Sequence, residues 1–570
     1  MKRAEQLEEC LYFIIILFTF QNTQMTTYQL RLGLDLIENH FDSTSKQITS
    51  YLNRKGPLQL GIIARDLKLS ISTVSQCLSV LCIHDIVEYK QDDSNSKRVL
   101  YMFNVKRALY ILHYAKCIHC AKQLYHGTGE LIIEKLLLHG KRQMSQILAD
   151  VYNTLSKVFK DSVSITSIRD CFQHLASAQF IQRVSTSNQE SKQMSNMPII
   201  VEEAPSTQYQ VPELTQDEVK RLATTEPQPN KKFKSSNNTN SFGDENIFWK
   251  VNFQRFFDYL RDQELISAFT SRIDQNAGEI IRAILRLAET KPQPNSQRTI
   301  KLSTLDISKS LATTNPLSED LIQKYMSVIT GDVNNCVIKV DEQGKGSYII
   351  DFQLASTGLT KAHAQSFLKE RYGSNALRIY NMLEERGCLS QKQIEDMAMI
   401  SAKEAQQYVY SMFIDGILSL EELSKANDFN PMRTFYFFRV NLYNVVLSLL
   451  EQCYKTMSNL MQRHTYETER HQKLIDKREK VDKIILDMRE QSVAEEQIKE
   501  VEDILSPAEK DQIKKLDAAF RKIDLAQIQL TETILILEIY LTLSNSSVPI
   551  SKKTGGKAIA AKLLENKTQD

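Results

Sequence analysis

The spacing of apolar residues changes from a helical to a strand-like pattern between Ser45 and about Asn104. Four apolar residues recur at steps of three and four, so we expect them to share the core-facing side of a helix: Ile71, Val74, Leu78 and Leu81. The segments that follow, IVEYKQ and RVLYMFN, alternate like strands and flank the polar turn DDSNSK. Helices followed by a hairpin in this order predict a winged helix.

Three further segments repeat this order of elements. The second begins at LYHGTGELIIEKLLLHGK and reaches the strand FIQRV, where a long polar insertion interrupts the wing. The third opens on the aromatic-rich segment IFWKVNFQRFFDYL, predicted as one long helix, and closes on CVIKV and SYIIDFQ. The fourth spans residues 374–440. Because chance resemblance of four successive copies is rare, the repeat supports the winged-helix prediction.

After Asn441 the strand pattern ends and a heptad-like stripe follows. Its seam is expected to contain eight residues: Ile513, Leu516, Phe520, Ile523, Leu530, Ile534, Leu537 and Leu541. Residues 442–488 follow the same register less regularly, and Pro507 separates the two runs, which favours an antiparallel hairpin. The predicted fold class is mainly α, with α+β modules: four tandem winged-helix domains followed by an antiparallel coiled-coil hairpin.

Amino-acid composition indicates where the chain is not expected to fold. Residues 185–243 hold five of the chain's 12 prolines and few large apolar side chains, so we expect a disordered insertion. Within it, PNKKFK (229–234) is either a nuclear import signal or an ordinary solvated loop. The predicted organisation is an extension at 1–24, winged helices at 25–122, 123–184, 244–354 and 355–440, a hairpin at 441–543 and a flexible tail at 544–570.

The overall charge directs the chain neither to nucleic acid nor to membranes. Its 71 basic and 69 acidic residues give a net charge of +2, so any contact with DNA must be local. The apolar run at positions 10–20 is shorter than the roughly 20 residues that span a bilayer. Nine cysteines without a paired framework favour a reducing, intracellular compartment.

The third helix of each predicted module lacks the residues that read DNA bases. The helix at 71–85 has no lysine or arginine, whereas base readout needs clustered Arg, Asn or Gln. These helices are therefore predicted to dock on protein, since an uncharged surface is buried at low desolvation cost. Basic residues lie beside them instead and are candidates either for contacts with the DNA backbone or for solvated surface charge: Lys97, Arg98, Lys106, Arg107, Lys141 and Arg142.

No motif predicts catalysis, a cofactor or a metal. The sequence has no phosphate-binding loop, HExxH or GxSxG motif. CIHC at 117–120, together with His113, has the form of half a zinc site, but no second pair follows at suitable spacing. We therefore expect buried structural thiols and assign no catalytic, cofactor-binding or metal-binding residue.

Three segments carry a resemblance to a known family. MTTYQLRLGLDLIENHF from Met25, LYHGTGELIIEKLLLHGK from Leu124 and FWKVNFQRFFDYLRDQ from Phe248 resemble the winged-helix subunit of DNA-directed RNA polymerase III. That subunit is the large member of a peripheral heterotrimer and is related to the alpha chain of general transcription factor IIE. The resemblance extends from Met25 to about Leu543, and residues 1–24 depart from it.

The resemblance implies a nuclear, non-catalytic subunit without cofactor or membrane contact. Its expected partners are the two other heterotrimer members, the polymerase clamp, transcription factor IIIB and promoter DNA, bound largely without sequence specificity. Members of this family help to select and open promoters of transfer RNA and other short RNA genes.

Two other hypotheses remain open on the residues alone. A free-standing winged-helix transcription regulator would bind DNA by itself, but the third helices lack basic residues. A scaffold of a proteasome-lid-like assembly would place helical repeats ahead of one terminal winged helix, which is the opposite order.

Overall fold

The computed structural model describes residues 27–92, 95–158, 164–184, 208–212, 247–289, 298–312, 317–332, 335–341, 346–424, 434–490, 497, 501 and 504–546. Two compact units are present. One contains the described residues up to Leu260 together with Tyr454–Thr531. The other contains Arg261–Cys453 and the described residues from Glu532 onward.

The first module of the first unit is a winged helix preceded by an additional helix. Its elements are α1 (Thr27–His40), α2 (Ser43–Lys55), α3 (Leu60–Leu67), α4 (Ile71–Ile83), β1 (Val87–Asp92) and β2 (Asn95–Phe103). β1 and β2 are antiparallel, and an isolated bridge from Leu58 to Tyr101 supplies a third strand position. Val74, Leu78 and Leu81 are buried as predicted, but Ile71 is exposed. Ile71 is the first residue of α4 and lies one turn before the buried part of the helix.

The second module follows in the same unit. Its elements are α5 (Val105–Leu109), a 3₁₀ turn (Tyr110–His113), α6 (Tyr114–His139), β3 (Arg142–Gln143), α7 (Met144–Val158), α8 (Ile165–Ser177), β4 (Ile181–Arg183) and β5 (Phe248–Val251). α6 contains a break at Tyr125 and His126, whose backbone dihedral angles are not helical. The three strands form a sheet in the order β3–β5–β4.

Strand β5 corrects the predicted start of the third domain at residue 244. The segment from Phe248 was predicted as helix, but Trp249 pairs with Arg142 and Arg183 in the second module's sheet. The Trp249 side chain is fully buried in that module's core. A helix, α9 (Phe253–Arg272), begins only after this strand. The segment is a strand because it pairs with β3 and β4, which precede the insertion. The spacing of apolar residues within one segment does not reveal such a pairing.

A second correction concerns the boundary at residue 122. Cys117, Cys120 and Ala121, predicted to belong to the first domain, are buried in the second module's core beside Ile132 and Ile133. Their helix therefore packs with the module that follows it in sequence, because its apolar side covers that core.

The second unit contains two more modules. The third has α10 (Gln275–Glu289), β6 (Leu302–Ser303), α11 (Thr304–Ala312), α12 (Glu319–Thr330), β7 (Val337–Asp341) and β8 (Ser347–Ile350). After α13 (Phe352–Tyr372), the fourth has α14 (Ser374–Arg386), β9 (Cys388–Leu389), α15 (Gln391–Ala398), α16 (Ala402–Ile414), β10 (Leu418–Ser424) and β11 (Thr434–Val440). Their sheets have the orders β6–β8–β7 and β9–β11–β10.

The modules share both topology and local sequence signals. In each three-stranded sheet, the strand that comes last in sequence lies in the middle. A serine precedes the third helix of each module, at positions 70, 164, 318 and 401. Serine suits this position because its hydroxyl accepts a bond from a free amide of the first turn. The described part of the chain therefore contains four winged helices, as predicted.

Two long helices follow among the residues that the structure describes: α17 (Leu442–Glu490) and α18 (Pro507–Ser546). Within the first unit, Lys477 Nζ lies 2.7 Å from a Glu509 carboxylate oxygen, and Arg478 donates to Asp517 at 2.8 Å. Further along, the rings of His464 and Phe520 are 4.7 Å apart. As residue numbers fall in α17 they rise in α18, so these helices are antiparallel, which confirms the predicted hairpin.

Several predictions lie outside the described residues. These are the extension at 1–24, the basic segment 229–234, the tail from 547 onward and most of the insertion. Residues 208–212 of the insertion are described, and they are ordered: Gln208 accepts a backbone hydrogen bond from Arg183 at 3.0 Å, and Val211 packs on the second module's core. These contacts set residues 208–212 against the second module, and the disorder of the insertion stays a prediction.

Candidate docking and nucleic-acid interfaces

The exposed surface of α4, the third helix of the first module, lacks the positively charged side chains that DNA binding requires. Its exposed side chains are apolar or hydroxyl and amide groups, and they include Ile71, Gln76, Ser79, Val80 and Ile83. None of them carries a positive charge. Phosphates dominate the affinity of proteins for DNA, so this surface lacks the groups that such binding needs.

The fourth module exposes the largest apolar side chains of any third helix. Tyr410, Phe413 and Ile414 follow one another at helical steps of three and one, and all are exposed. We call these three residues the α16 ridge. The next residue, Asp415, already has partners in this chain. Its carboxylate lies 2.9 Å from the Arg371 guanidinium and accepts a hydrogen bond from the Tyr372 hydroxyl.

The six predicted DNA-backbone residues do not form one set. Arg98, on the wing of the first module, and Lys106, in α5, are exposed. The Lys97 side chain lies outside the described residues. Their exposure leaves Arg98 and Lys106 accessible to a phosphate, and their contact with DNA stays a prediction.

The other basic candidates are held by groups of this chain. The Lys141 ammonium lies 2.5 Å from Asp85 and donates to the Cys82 carbonyl at 3.1 Å. Arg142 is paired with Asp150, and the Arg107 guanidinium lies 5.3 Å from the centre of the Tyr110 ring. Lys141 and Arg142 are thus neutralised locally, which argues against their predicted role at phosphates. Sequence spacing could not reveal these partners.

Asp85 is the centre of the junction between the first two modules. The Asp85 carboxylate also lies 3.0 Å from the Lys250 ammonium of β5. Asp85 and its partners Lys141 and Lys250 thus connect three segments that are distant in sequence. Burial alone would raise the pKa of Asp85, but Lys250 and Lys141 together hold it below its usual value. Gly140 has a φ of +73°, and a Cβ there would lie 2.8 Å from the Ile83 carbonyl oxygen. Only glycine therefore allows this close approach.

A cavity of about 140 Å³ lies beside this carboxylate. Arg107, Tyr114, Lys250 and Asn252 are among the residues that line it. Because Lys250 is already paired with Asp85, its charge is largely neutralised beside the cavity.

The two cysteines of the CIHC motif and the nearby His113 are buried, whereas His119 of the motif is exposed. Cys117, Cys120 and His113 are all less than 5% exposed. Burial raises the pKa of Cys120 to about 11 and that of Cys117 well above its usual value, so both are thiols at neutral pH. Zinc binds thiolates, and the described residues contain no cluster of three or more potential metal ligands. These thiols fit a packing role in the second module's core.

Acidification is expected to loosen the first two modules between pH 6.5 and pH 4. Burial lowers the pKa of His113 to about 3 and that of His84 to about 4. Both pKa values lie below the unfolded value of about 6.5, so the stabilisation is complete above pH 6.5 and is lost as the pH falls. At pH 5 the loss from His113 is about 2 kcal/mol. Hydrogen exchange of peptides from residues 105–139, corrected for the intrinsic effect of pH, measures it.

His113→Phe supplies the control for this prediction. Phenylalanine does not titrate and suits a site whose ring neighbour is Phe257, 5.1 Å away. The variant should lose less protection than the parent between pH 7 and pH 5. Equal losses in both proteins would show that the buried imidazole is not the cause.

The eight residues of the predicted hairpin seam share low exposure. Leu516, Ile534 and Leu537 are buried, and the other five are partly buried. In contrast, Leu525 and Ile528 of the same helix are exposed. The packing role of the eight remains a prediction, which their burial favours. Although α17 and α18 are long, neither they nor any other described helix is apolar enough to cross a membrane.

Four winged helices joined to a terminal helical hairpin define a multidomain winged-helix protein. Four family models match successive parts of the chain: an RNA polymerase III subunit RPC82 helix-turn-helix domain at residues 31–92, RNA polymerase III subunit RPC82 at 170–357, a POLR3C C-terminal winged-helix domain at 364–440 and an RPC3 helical hairpin domain at 473–536. Each matched range includes helices or strands described above.

Whole-length relatives agree with these matches. The chain is 33% identical over 530 residues to the DNA-directed RNA polymerase III subunit RPC3 of Bos taurus, which covers 91% of this chain and 99% of the relative. The RPC3 proteins of Homo sapiens and Danio rerio are 32% and 30% identical over 91% and 92% of this chain, and over 99% and 100% of their own lengths. The chain therefore belongs to the RPC3 family of RNA polymerase III subunits.

Proposed function

We propose that this chain is a non-catalytic subunit that docks on the RNA polymerase III core and assists promoter recognition, promoter opening and initiation at transfer RNA and other short RNA genes. The observation that carries the proposal is its similarity to RPC3 proteins over more than nine-tenths of its length. Such continuous similarity includes all four modules and the hairpin.

The surfaces support docking rather than chemistry. The described residues contain no cluster of potential metal ligands, and His113 and Cys117, whose pKa values burial moves far from their usual ranges, have almost no exposed surface. Catalytic groups need access to a substrate. The exposed surface of α4 is uncharged and therefore suits a protein partner.

The proposed partners are the two other members of a heterotrimer, the polymerase clamp and transcription factor IIIB, in the nucleus. Promoter DNA is proposed to meet exposed basic residues such as Arg98 and Lys106. Contacts of this type reach phosphates and carry no sequence information, so the proposed DNA binding is largely non-specific.

Affinity purification of the tagged full chain from its own cells tests the proposal. We expect the other RNA polymerase III subunits to co-purify in nearly equal molar amounts, together with promoter-dependent transcription of a transfer RNA gene. A tag on an unrelated nuclear protein is the control.

Recovery of the chain without any polymerase subunit would overturn the proposal. Tight binding of the isolated chain to one short duplex, lost on single base changes, would favour the alternative of a free-standing transcription regulator. That regulator would need base contacts, which the exposed surface of α4 does not supply.

A further inference from the structure

The cavity beside Asp85 lies where the first two modules meet. Its wall is formed by the ends of α4 and β5, parts of α5, α6 and β4, and the beginning of α9. The cavity volume is about 140 Å³, whereas a single water needs about 10–15 Å³ of such space. The cavity is therefore large enough for a compact ligand of several atoms.

The charged groups at this cavity do not balance. Lys141 and Lys250 are both paired with Asp85, but one carboxylate carries a single negative charge. Two ammonium groups and one carboxylate together retain a charge of +1. Arg107, which lines the cavity, adds a second positive charge and has no carboxylate partner among the described residues. His84 adds none at neutral pH, because burial lowers its pKa to about 4.

Water can offset this excess of positive charge only in part. The side chains of Lys141, Lys250 and Asp85 are 23%, 27% and 29% exposed. An unbalanced charge that is mostly removed from water is costly unless an ion of opposite sign accompanies it. The electrostatics of the cavity therefore favour a bound anion.

The first turn of α9 favours the same kind of ligand. Residues 252–254 line the cavity, and α9 has 20 residues and begins at Phe253. The first amide groups of a helix have no partner within the helix, and the helix dipole places partial positive charge there. Phosphate groups bind to helix N-termini for these two reasons.

We propose that this cavity is a binding site for a phosphate group, carried either by inorganic phosphate or by a nucleotide. Arg107 and Lys250 contact its oxygens, and the first amides of α9 donate hydrogen bonds to it. The bound phosphate supplies the negative charge that Asp85 alone does not, and it thereby stabilises the junction of the first two modules. This site goes beyond the proposed function and does not depend on it.

Hydrogen exchange of the tagged full chain, purified from its own cells with the subunits that accompany it, tests the inference. Inorganic phosphate or adenosine monophosphate is added up to about 10 mM at constant ionic strength, which nearly saturates a site whose Kd is about 1 mM. Peptides from residues 105–114 and 247–256 should then exchange about tenfold more slowly, because the ligand binds only the closed site. Peptides from residues 374–440 should not change.

Two variants and a control separate a specific site from a general effect of anions. Arg107→Gln removes one positive charge from the cavity. Gln182→Glu adds a carboxylate to the cavity wall and keeps the side-chain oxygen that accepts a hydrogen bond from Gln208. Both variants should lose most of the protection by phosphate. Arg54→Gln replaces an exposed arginine of α2 that does not line the cavity, and it should keep the full protection.

Exchange without added phosphate shows whether the variants are folded. Peptides from residues 27–55 and 144–158 should exchange in all three variants as in the parent chain. In Gln182→Glu the peptides at the cavity should exchange more slowly than in the parent, because the new carboxylate supplies the missing negative charge.

The outcomes are distinct. Protection by inorganic phosphate, by adenosine monophosphate or by both supports the inference and identifies the source of the phosphate group. Absence of protection by either ligand would overturn it. Equal protection by acetate, or full protection of Arg107→Gln by phosphate, would also overturn it, because the cavity would then not select the ligand. Co-purification of polymerase subunits is scored separately, so the proposed function is unaffected by these results.

Discussion

Aspartate at Leu530, Ile534 and Leu537 is expected to abolish co-purification of the polymerase subunits with the tagged chain. Ile534 and Leu537 have no exposed surface, and Leu530 is partly buried. An unpaired carboxylate in an apolar site costs several kcal/mol, or else it becomes protonated. The substitutions should therefore separate α18 from the residues that cover it. Affinity purification followed by subunit quantification provides the measurement.

The effect must be separated from the loss of a surface contact. Leu525 and Ile528 lie on the same helix but are exposed, so aspartate at both positions should leave the hairpin folded. Hydrogen exchange across residues 507–546 should increase in the triple variant and stay unchanged in this control. Normal co-purification of the triple variant would show that the hairpin is not needed for assembly.

Replacement of Trp249 with alanine is expected to destabilise the second module by about 3–5 kcal/mol. The indole is fully buried, and its ring meets Phe172 edge-on with centroids 5.2 Å apart. It also belongs to β5, the middle strand of the sheet. The loss should therefore affect the whole module. Hydrogen exchange of peptides from residues 127–158 and 164–184 should become much faster.

Phe248→Ala is the matched control for Trp249→Ala. Phe248 is the preceding residue of the same strand, and because strand side chains alternate it points to the opposite side and is exposed. Its replacement should change stability by no more than about 0.5 kcal/mol. If both variants were equally stable, β5 would not be a core strand of the second module.

The sequence allowed the order of elements to be predicted because each signal is local. The step of three and four at Val74, Leu78 and Leu81 indicates a buried helical side, and the structure confirms it. The contact of Ser70 is equally local, because its hydroxyl accepts a hydrogen bond from the Thr73 amide in the first turn of α4. The heptad stripe likewise predicts the hairpin, because its spacing of three and four residues is a property of one helix.

The candidate interfaces were less predictable, since the partners of a charge lie far away in sequence. In the sequence, Lys141 and Arg142 are indistinguishable from an exposed basic pair. In the structure they form ion pairs with Asp85 and Asp150. Arg98 and Lys106 remain exposed. The sequence alone shows that α4 has no lysine or arginine. It does not show that Tyr410 is exposed, because that depends on which side of α16 faces the core.

The amino-acid sequence by itself determined that this protein is a series of winged helices ending in a helical hairpin, because helix and strand periodicities are set by neighbouring residues. Only the tertiary structure decided that Trp249 completes the second sheet and that Cys117 packs into the second core. Strand pairing across an insertion and packing between consecutive helices depend on complementary surfaces, not on sequence distance. The same physical reason applies to Asp85, whose two lysine partners are 56 and 165 residues away in the chain and are joined to it only by folding.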